Sequence, residues 1–291
     1  MLSAVARTSA PRHLFESFLA VDALSPAHSN VEAARTEFEE LVNRASPCAS
    51  RDGADPDRAQ CVVAALFATG LLTAVAEPGD PDSSTVTSAL VSHRGNCAAL
   101  SALALSIAES VGVPLEAVVF PQHVVVRSPA DPDHAFELLQ RGSKLTMSQL
   151  RKRLGADGAR DVRVRTRDFP TYYLDNLAVR FAEAGNADRA EAMFQQAIDA
   201  GSRVARVRFN YGTFLLGKDR LKPAAEQLRR AVRLDHRSAP CWANLGVAVA
   251  RLGDTSGARR CFERALRYEP RNRIATENLK ALGRNGPPPP H

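Results

Sequence analysis

The stretch from residue 94 to 101, Arg94-Gly95-Asn96-Cys97-Ala98-Ala99-Leu100-Ser101, begins an apolar segment that ends at Gly112. Apolar residues recur along this segment at helical spacing, and Asn96 is well suited to cap the first turn of a helix. Cys97 would then lie where unpaired backbone N–H groups and the helix dipole stabilise an anion. We therefore expect the thiolate of Cys97, the nucleophilic form of the side chain, to be favoured.

A thiol nucleophile needs a base, and His123 begins an apolar strand that follows this helix. A turn centred near Ala130 would place Glu137, on the next strand, directly opposite His123. The carboxylate could then orient the imidazole and stabilise its charged form. A shift of one residue in the pairing would put the two side chains on opposite faces of the sheet.

The N-terminal half combines helices with an antiparallel sheet, which predicts an α+β domain over residues 12–160. The helices are predicted at 12–24, 30–45, 56–70, 86–91 and 97–111, and the strands at 115–120, 123–127 and 135–139. Residues 161–170 form a basic linker in which Arg163 and Arg165 alternate with apolar residues. This alternation indicates a short edge strand, with an anion-binding patch as the alternative.

These segments together resemble bacterial transglutaminase-like domains of the SirB type, which belong to the papain-related fold. The resemblance rests on residues 94–101, 111–114, 120–127 and 136–137. It implies Cys97 as nucleophile, His123 as general base and Glu137 as the orienting residue, with no cofactor and no metal. No Gln precedes Cys97 to complete a papain-style oxyanion hole, so Asn96 and Gln122 are the candidates for that role. Helix capping is the alternative role for Asn96.

The C-terminal half superimposes on itself when it is shifted by 34 residues. Its third copy contains Trp242, Leu245, Gly246, Ala258, Phe262, Ala265 and Pro270. This pattern resembles the tetratricopeptide repeat, in which small residues allow paired helices to approach closely. We predict an all-α solenoid over 171–284, with repeats at 171–204, 205–238 and 239–272 and a capping helix at 273–284.

Asn176, Asn210 and Asn244 recur at the same position of the three repeats. The inner groove of such a solenoid usually binds a protein or peptide, so these asparagines are candidate groove residues. Ordinary helix packing is the alternative role for them. The lysines that clamp a peptide's terminal carboxylate in some tetratricopeptide domains are missing here.

The balance of charged residues changes near residue 160, where the predicted N-terminal domain ends. Residues 1–160 carry 14 Lys or Arg against 18 Asp or Glu, whereas residues 161–291 carry 24 against 14. The basic repeats could bind an acidic protein or dock on the acidic N-terminal domain. Nucleic acid is the least favoured partner, because no aromatic stacking platform accompanies the charges.

The five cysteines are an odd number without any Cys-x-x-Cys pair, which predicts free thiols in a reducing compartment. Cys48, Cys61, Cys241 and Cys261 lie among apolar residues and are interpreted as buried fillers. No apolar run approaches the ~18–20 residues that span a membrane. We therefore expect a bacterial cytoplasmic protein.

The sequence favours two functions over nucleic-acid binding through the basic half. The first is a thiol acyl-transfer enzyme, in which Cys97 attacks an amide or ester carbonyl and water or an amine then resolves the acyl-enzyme. Its repeats would recruit a protein partner. The second is a non-catalytic interaction scaffold built on the same fold, with the repeats alone carrying the function.

Overall fold

The structure is a computed structural model that describes residues 13–23, 30–50, 53–68, 72–75, 81–120, 123–155, 162–200 and 204–283. Contacts divide the chain into two compact units, Met1–Gly185 and Asn186–His291. The division falls within the stretch that the sequence assigns to the first repeat. The first helix of that repeat therefore packs with the N-terminal unit.

The described part of the N-terminal unit contains seven α-helices and seven strands. The helices are α1 (His13–Asp22), α2 (Val31–Ala49), α3 (Asp55–Phe67), α4 (Val86–Ser92), α5 (Cys97–Ser110), α6 (Met147–Arg153) and α7 (Phe169–Glu183). The strands are β1 (Thr73–Ala74), β2 (Arg94–Gly95), β3 (Glu116–Phe120), β4 (His123–Arg127), β5 (His134–Glu137), β6 (Ser143–Thr146) and β7 (Val162–Val164). Strand β6 was not predicted, because its Ser-Lys-Leu-Thr sequence lacks apolar alternation.

Helix α5 is the centre of this unit. Every residue from Ala98 to Ala108 is buried, since the helix presents small or apolar side chains on all its faces. It packs against helices α1–α4 and α7 and against strand β4. The predicted cap is present, because the Asn96 side-chain oxygen accepts a hydrogen bond from the backbone N–H of Ala99 at 2.9 Å.

Five strands form one antiparallel sheet in the order β6-β5-β4-β3-β7. Strand β7 pairs with β3 at the edge, as the alternating sequence predicts. Arg163 and Arg165 are exposed while Val164 is buried between them. Strands β1 and β2 form a separate parallel pair just before the start of α5.

The pairing of β4 with β5 differs from the prediction by two residues. Val126 lies opposite Phe136, so the turn is centred one residue later than predicted and His123 is not directly opposite Glu137. A shift of two residues keeps a side chain on the same face of the sheet, so the two residues are diagonal neighbours. Arg127 secures this turn by donating hydrogen bonds to the Glu116 carboxylate and to the Pro132 carbonyl, both at 2.8 Å.

A buried polar network joins α1, α4 and α7. The Tyr173 hydroxyl donates to the Asp22 carboxylate at 2.8 Å and accepts a hydrogen bond from the Val86 N–H at 2.7 Å. Thr87 donates to the same carboxylate through its backbone N–H and its hydroxyl. Burial raises the pKa of Asp22 to about 6, although these hydrogen bonds oppose the shift.

The free-thiol prediction was wrong for two cysteines. Cys48 on α2 and Cys61 on α3 form a disulfide, with their Cα atoms 5.6 Å apart. The two helices pack side by side, which brings together residues 13 positions apart in the sequence. Cys97, Cys241 and Cys261 are the free cysteines. Because of this bond, the cysteine count no longer argues for a reducing compartment.

The second unit is all helical over the residues that the structure describes. Its helices are α8 (Ala187–Asp199), α9 (Ala205–Gly217), α10 (Leu221–Leu234), α11 (Ala239–Arg251), α12 (Thr255–Tyr268) and α13 (Arg273–Leu282). The recurring glycines have a packing reason, since a Cβ on Gly246 would lie 2.5 Å from Cε1 of Phe262. Within the described parts of both units, no helix has the length and apolar character needed to cross a bilayer.

Replacing Tyr173 by Phe should lower the free energy of unfolding by roughly 1–3 kcal/mol, because Asp22 and the Val86 N–H each lose a buried partner. Urea denaturation followed by circular dichroism measures the change. Tyr268→Phe is the control, because this tyrosine is exposed and should cost less than about 0.5 kcal/mol. Equal stability of the two variants would contradict the structural role of the Tyr173 hydroxyl.

The disulfide should stabilise the chain by about 3 kcal/mol, the value expected for a closed loop of this size. Adding a reductant should therefore lower the melting temperature of the wild-type protein. The double variant Cys48→Ala, Cys61→Ala should melt lower and show no response to the reductant. Titration of five reactive thiols in the denatured, unreduced protein would show that the bond does not form.

Candidate active site

Cys97 is the first residue of α5, in the position that the sequence predicts. Its side chain is half-buried, whereas the other free cysteines, Cys241 and Cys261, are buried in the repeat unit. Burial raises the pKa of Cys241 to about 11 and raises that of Cys261 as well. Cys97 is therefore the free thiol best placed to meet a reactant from solution.

His123 and Glu137 form a buried pair. Nε2 of His123 lies 2.7 Å from Oε2 of Glu137, and the two residues are 8% and 3% exposed. The other carboxylate oxygen, Oε1, accepts a hydrogen bond from the Leu139 N–H at 3.0 Å. Both oxygens are thus held, which fixes the plane of the carboxylate and with it the orientation of the imidazole.

The thiol of Cys97 is the third member of the arrangement, because it interacts with the His123 side chain and raises the pKa of that ring. Since Nε2 is engaged by Glu137, Nδ1 is the ring nitrogen that remains for a second partner. The predicted order of thiol, imidazole and carboxylate is therefore present in space. Helix α5, which begins with Cys97, packs against β4, which begins with His123.

The pKa of His123 reflects this environment. Burial lowers it, but hydrogen bonds to Cys97 and Glu137 and the charges of both groups outweigh burial and raise the pKa to about 9. The ring is therefore protonated at neutral pH. Because 9 exceeds the ordinary value of 6.5, the protonated ring stabilises the fold below pH 6.5, and this contribution is lost as the pH rises through about 9.

The two oxyanion candidates have different outcomes. Asn96 is 5% exposed, and its side-chain oxygen is engaged as the helix cap. Gln122 lies outside the described residues. The backbone N–H of Cys97 belongs to the first turn of α5, where a helix offers no internal acceptor, so it can donate to a substrate oxygen.

The groove asparagines lie on α7, α9 and α11, one in each successive repeat. The Asn244 amide donates to the Thr213 hydroxyl at 2.9 Å and thereby links α11 to α9. Asn176 and Asn210 are half-buried. Their role in binding a partner stays a prediction.

The sequence did not reveal two supports of the site. One is the Leu139 N–H, because a backbone donor leaves no signature in residue types. The other is the hydrogen bond from Arg127 to the Pro132 carbonyl. The position of Arg127, at the end of an apolar strand and before a Pro-containing turn, could have indicated this bond. Across the part of the chain that the structure describes, no three His, Cys, Asp or Glu residues group in a way that could hold a metal ion.

Replacing Glu137 by Gln should lower the pKa of His123 by roughly one unit, because the imidazolium loses a negative partner. Titration of the histidine Cε1 protons by NMR measures this value. Asp131→Asn is the matched control, since it removes the partner of a different histidine, His134. An unchanged His123 pKa in Glu137→Gln would contradict the proposed electrostatic role of the carboxylate.

Comparison with solved structures gives likenesses at low sequence identity. The crystal structure of menin, described with the binding site for the Mixed Lineage Leukemia protein, has a TM-score of 0.63 and 13% identity. That likeness covers 91% of this chain and 68% of menin. The second TPR domain of human RPAP3, in complex with an HSP70 peptide, has a TM-score of 0.37 and 24% identity and covers 38% of this chain and 92% of that domain. The menin likeness shows a shared fold.

Family comparisons cover both units, while a comparison with curated proteins found no matching relative. Residues 32–181, just over half of the chain, match the transglutaminase-like superfamily. Residues 176–239 and 239–272 match the tetratricopeptide repeat. The first and second of these three matches overlap within α7. The chain belongs to the transglutaminase-like superfamily, and tetratricopeptide repeats follow its transglutaminase-like domain.

Proposed function

We propose that the chain is a cysteine-dependent acyl-transfer enzyme of the SirB type, with Cys97 as nucleophile, His123 as general acid and base, and Glu137 as the orienting residue. The observation that carries this proposal is that the His123 ring interacts both with the half-buried Cys97 thiol and with the buried Glu137 carboxylate. A buried charged pair is costly to maintain unless both members are well satisfied. The interaction of His123 with the half-buried Cys97 thiol gives the His123–Glu137 pair a role in proton transfer.

The first step forms a thioester. The Cys97 sulfur, having given its proton to His123, attacks the carbonyl carbon of an amide or ester. The carbonyl oxygen becomes an oxyanion, which the Cys97 N–H can stabilise. As the tetrahedral intermediate collapses, the imidazolium donates its proton to the departing amine or alcohol, and the acyl group stays on sulfur.

The second step releases the acyl group. A water molecule or an amine attacks the thioester carbonyl, and His123 takes a proton from the attacking oxygen or nitrogen. The carbon–sulfur bond then breaks, which returns the Cys97 thiolate and the protonated ring. Water gives hydrolysis and an amine gives transamidation, and the groups described here serve both reactions equally.

The repeats provide a means of recruitment. Tetratricopeptide repeats usually bind a peptide or another protein domain, and the structures similar to this chain include one with a bound peptide. We propose that they bring a protein substrate or partner to the thiol domain. Docking of the basic repeats on the acidic N-terminal half and location in the cytoplasm stay predictions.

Exposure to p-nitrophenyl acetate should place one acetyl group on Cys97, detected by peptide mass spectrometry. His123→Ala should slow acetylation by roughly 100-fold or more, because proton transfer is lost. Cys241→Ser is the control and should have no effect, since that thiol is buried in the other unit.

The rate of acetylation separates the candidate functions. Acetylation of Cys97 no faster than that of a free peptide of the same sequence, and indifferent to His123, would contradict catalysis and leave the interaction scaffold. If the acyl-enzyme forms, adding glycine methyl ester distinguishes the reactions, because an amide product shows transfer to an amine while acetate shows hydrolysis.

A further inference from the structure

We propose that the repeat unit binds an acidic segment of a partner protein through an edge of arginines that shares no residue with the thiol site or with the groove asparagines. This arginine edge lies at the C-terminal ends of α10 and α12 and in the loops that follow them. It consists of Arg230, Arg233, Arg237, Arg264, Arg267 and Arg271. The proposal does not depend on catalysis.

The arginines of the edge repeat with the period of the helices. Each member of the first set, Arg230, Arg233 and Arg237, has a counterpart exactly one repeat of 34 residues later. Helix α11 connects α10 to α12 through short loops, so both of these helices run antiparallel to α11. Their C-terminal ends therefore lie at the same end of the unit.

Direct contacts connect the two sets of arginines. The guanidinium of Arg264, on α12, lies 4.7 Å from the centre of the Trp242 ring, in the first turn of α11. The indole N–H of Trp242 donates to the carbonyl of His236 at 2.8 Å, in the loop that follows α10. One continuous surface thus runs from the loop behind α10 to the end of α12.

Most of this positive charge is not neutralised within the unit. Arg230 pairs with Glu226 at 2.6 Å. Four further members are exposed and have no ion-pair partner among residues 204–283, which the structure describes without a gap. These are Arg233, Arg237, Arg267 and Arg271.

A neighbouring arginine shows that like charges are crowded here. Burial lowers the pKa of Arg208, on α9, and the positive charges of Arg230 and Arg233 lower it further. Such crowding disfavours the isolated unit, and a bound anion would relieve it. An alternative explanation for the arginines in the last turns of α10 and α12 is the favourable interaction of a cation with the negative C-terminal end of a helix dipole. It does not explain Arg237 and Arg271, which lie beyond the helix ends, or Arg208, in the first turns of α9.

The anion that fits best is a set of carboxylates on a protein. A guanidinium group can form two parallel hydrogen bonds with either a carboxylate or a phosphate, so hydrogen-bond geometry alone does not distinguish the two anions. However, Asp235 and Glu269 also recur at the 34-residue period, between the arginines of each set. A continuous phosphate backbone would meet these carboxylates at every repeat, whereas an acidic peptide segment can place its own charges to avoid them. Arg264 lies over one face of the Trp242 ring, so a base could not stack on that face.

Fluorescence anisotropy tests this surface with the full chain at about 50 mM salt, where charge attraction is weakly screened. The probe is a labelled peptide with glutamate at every third or fourth position. Arg233→Gln, Arg267→Gln should weaken its binding by roughly 10-fold, equivalent to the loss of two charge-assisted contacts. The matched control is Lys222→Gln, Arg259→Gln, which removes the same charge from the N-terminal halves of the same two helices and should change binding less than about twofold.

Several results would overturn the proposal. These are no binding of the glutamate peptide, equal weakening by both pairs of substitutions, or tighter binding of a labelled DNA duplex than of the peptide. Melting curves are recorded in parallel, because removing positive charge from a helix end can destabilise it. If the variant Arg233→Gln, Arg267→Gln unfolds, the variant Arg233→Lys, Arg267→Lys replaces it, because lysine keeps the positive charge. Binding should still weaken roughly threefold, since lysine lacks the bidentate hydrogen bonding of arginine. Unchanged binding in that lysine variant would also overturn the proposal.

Discussion

The carboxylate of Glu137 and the imidazole of His123 are both buried, and each is a hydrogen-bond partner of the other. This pair requires that β4 and β5 present both side chains to the same face of the sheet. A hairpin with a flexible turn would allow the strands to shift by one residue and separate them. Arg127 prevents this shift, because it joins the end of β4 to the far side of the turn and to β3. The chemistry of the site thus depends on a backbone register that a residue outside the site maintains.

The features that follow from local chemistry could be predicted from the sequence. The start of α5 was predictable because Asn is among the residues most favoured as a helix N-cap, and Asn96 directly precedes an apolar run. Cys97 was therefore correctly predicted to lie in the first turn of α5. The meeting of His123 and Glu137 was predicted with the wrong turn centre. It survived because an error of two residues preserves the face of a strand.

Other features depend on distant contacts and left no local pattern. The Cys48–Cys61 disulfide requires two helices to pack in one particular way, and the spacing of the cysteines does not reveal it. Strand β6 forms because β5 offers it an unpaired edge, since its own side chains do not alternate. The 34-residue period assigned α7 to the repeats, whereas Tyr173, which lies outside that pattern, ties it to α1 and α4.

That attachment of α7 bears on how such a two-part protein can evolve. A repeat array is often treated as a cassette that can be exchanged between proteins at a linker. Here the helix in which the repeat match begins also lies within the superfamily match and fills the core around Asp22. A recombination event at the basic linker would remove that helix from the thiol domain, and one after α7 would leave the array without its opening helix. Neither fragment would be whole, so exchange of the repeat array at either point would cost one of the two parts a helix that it needs.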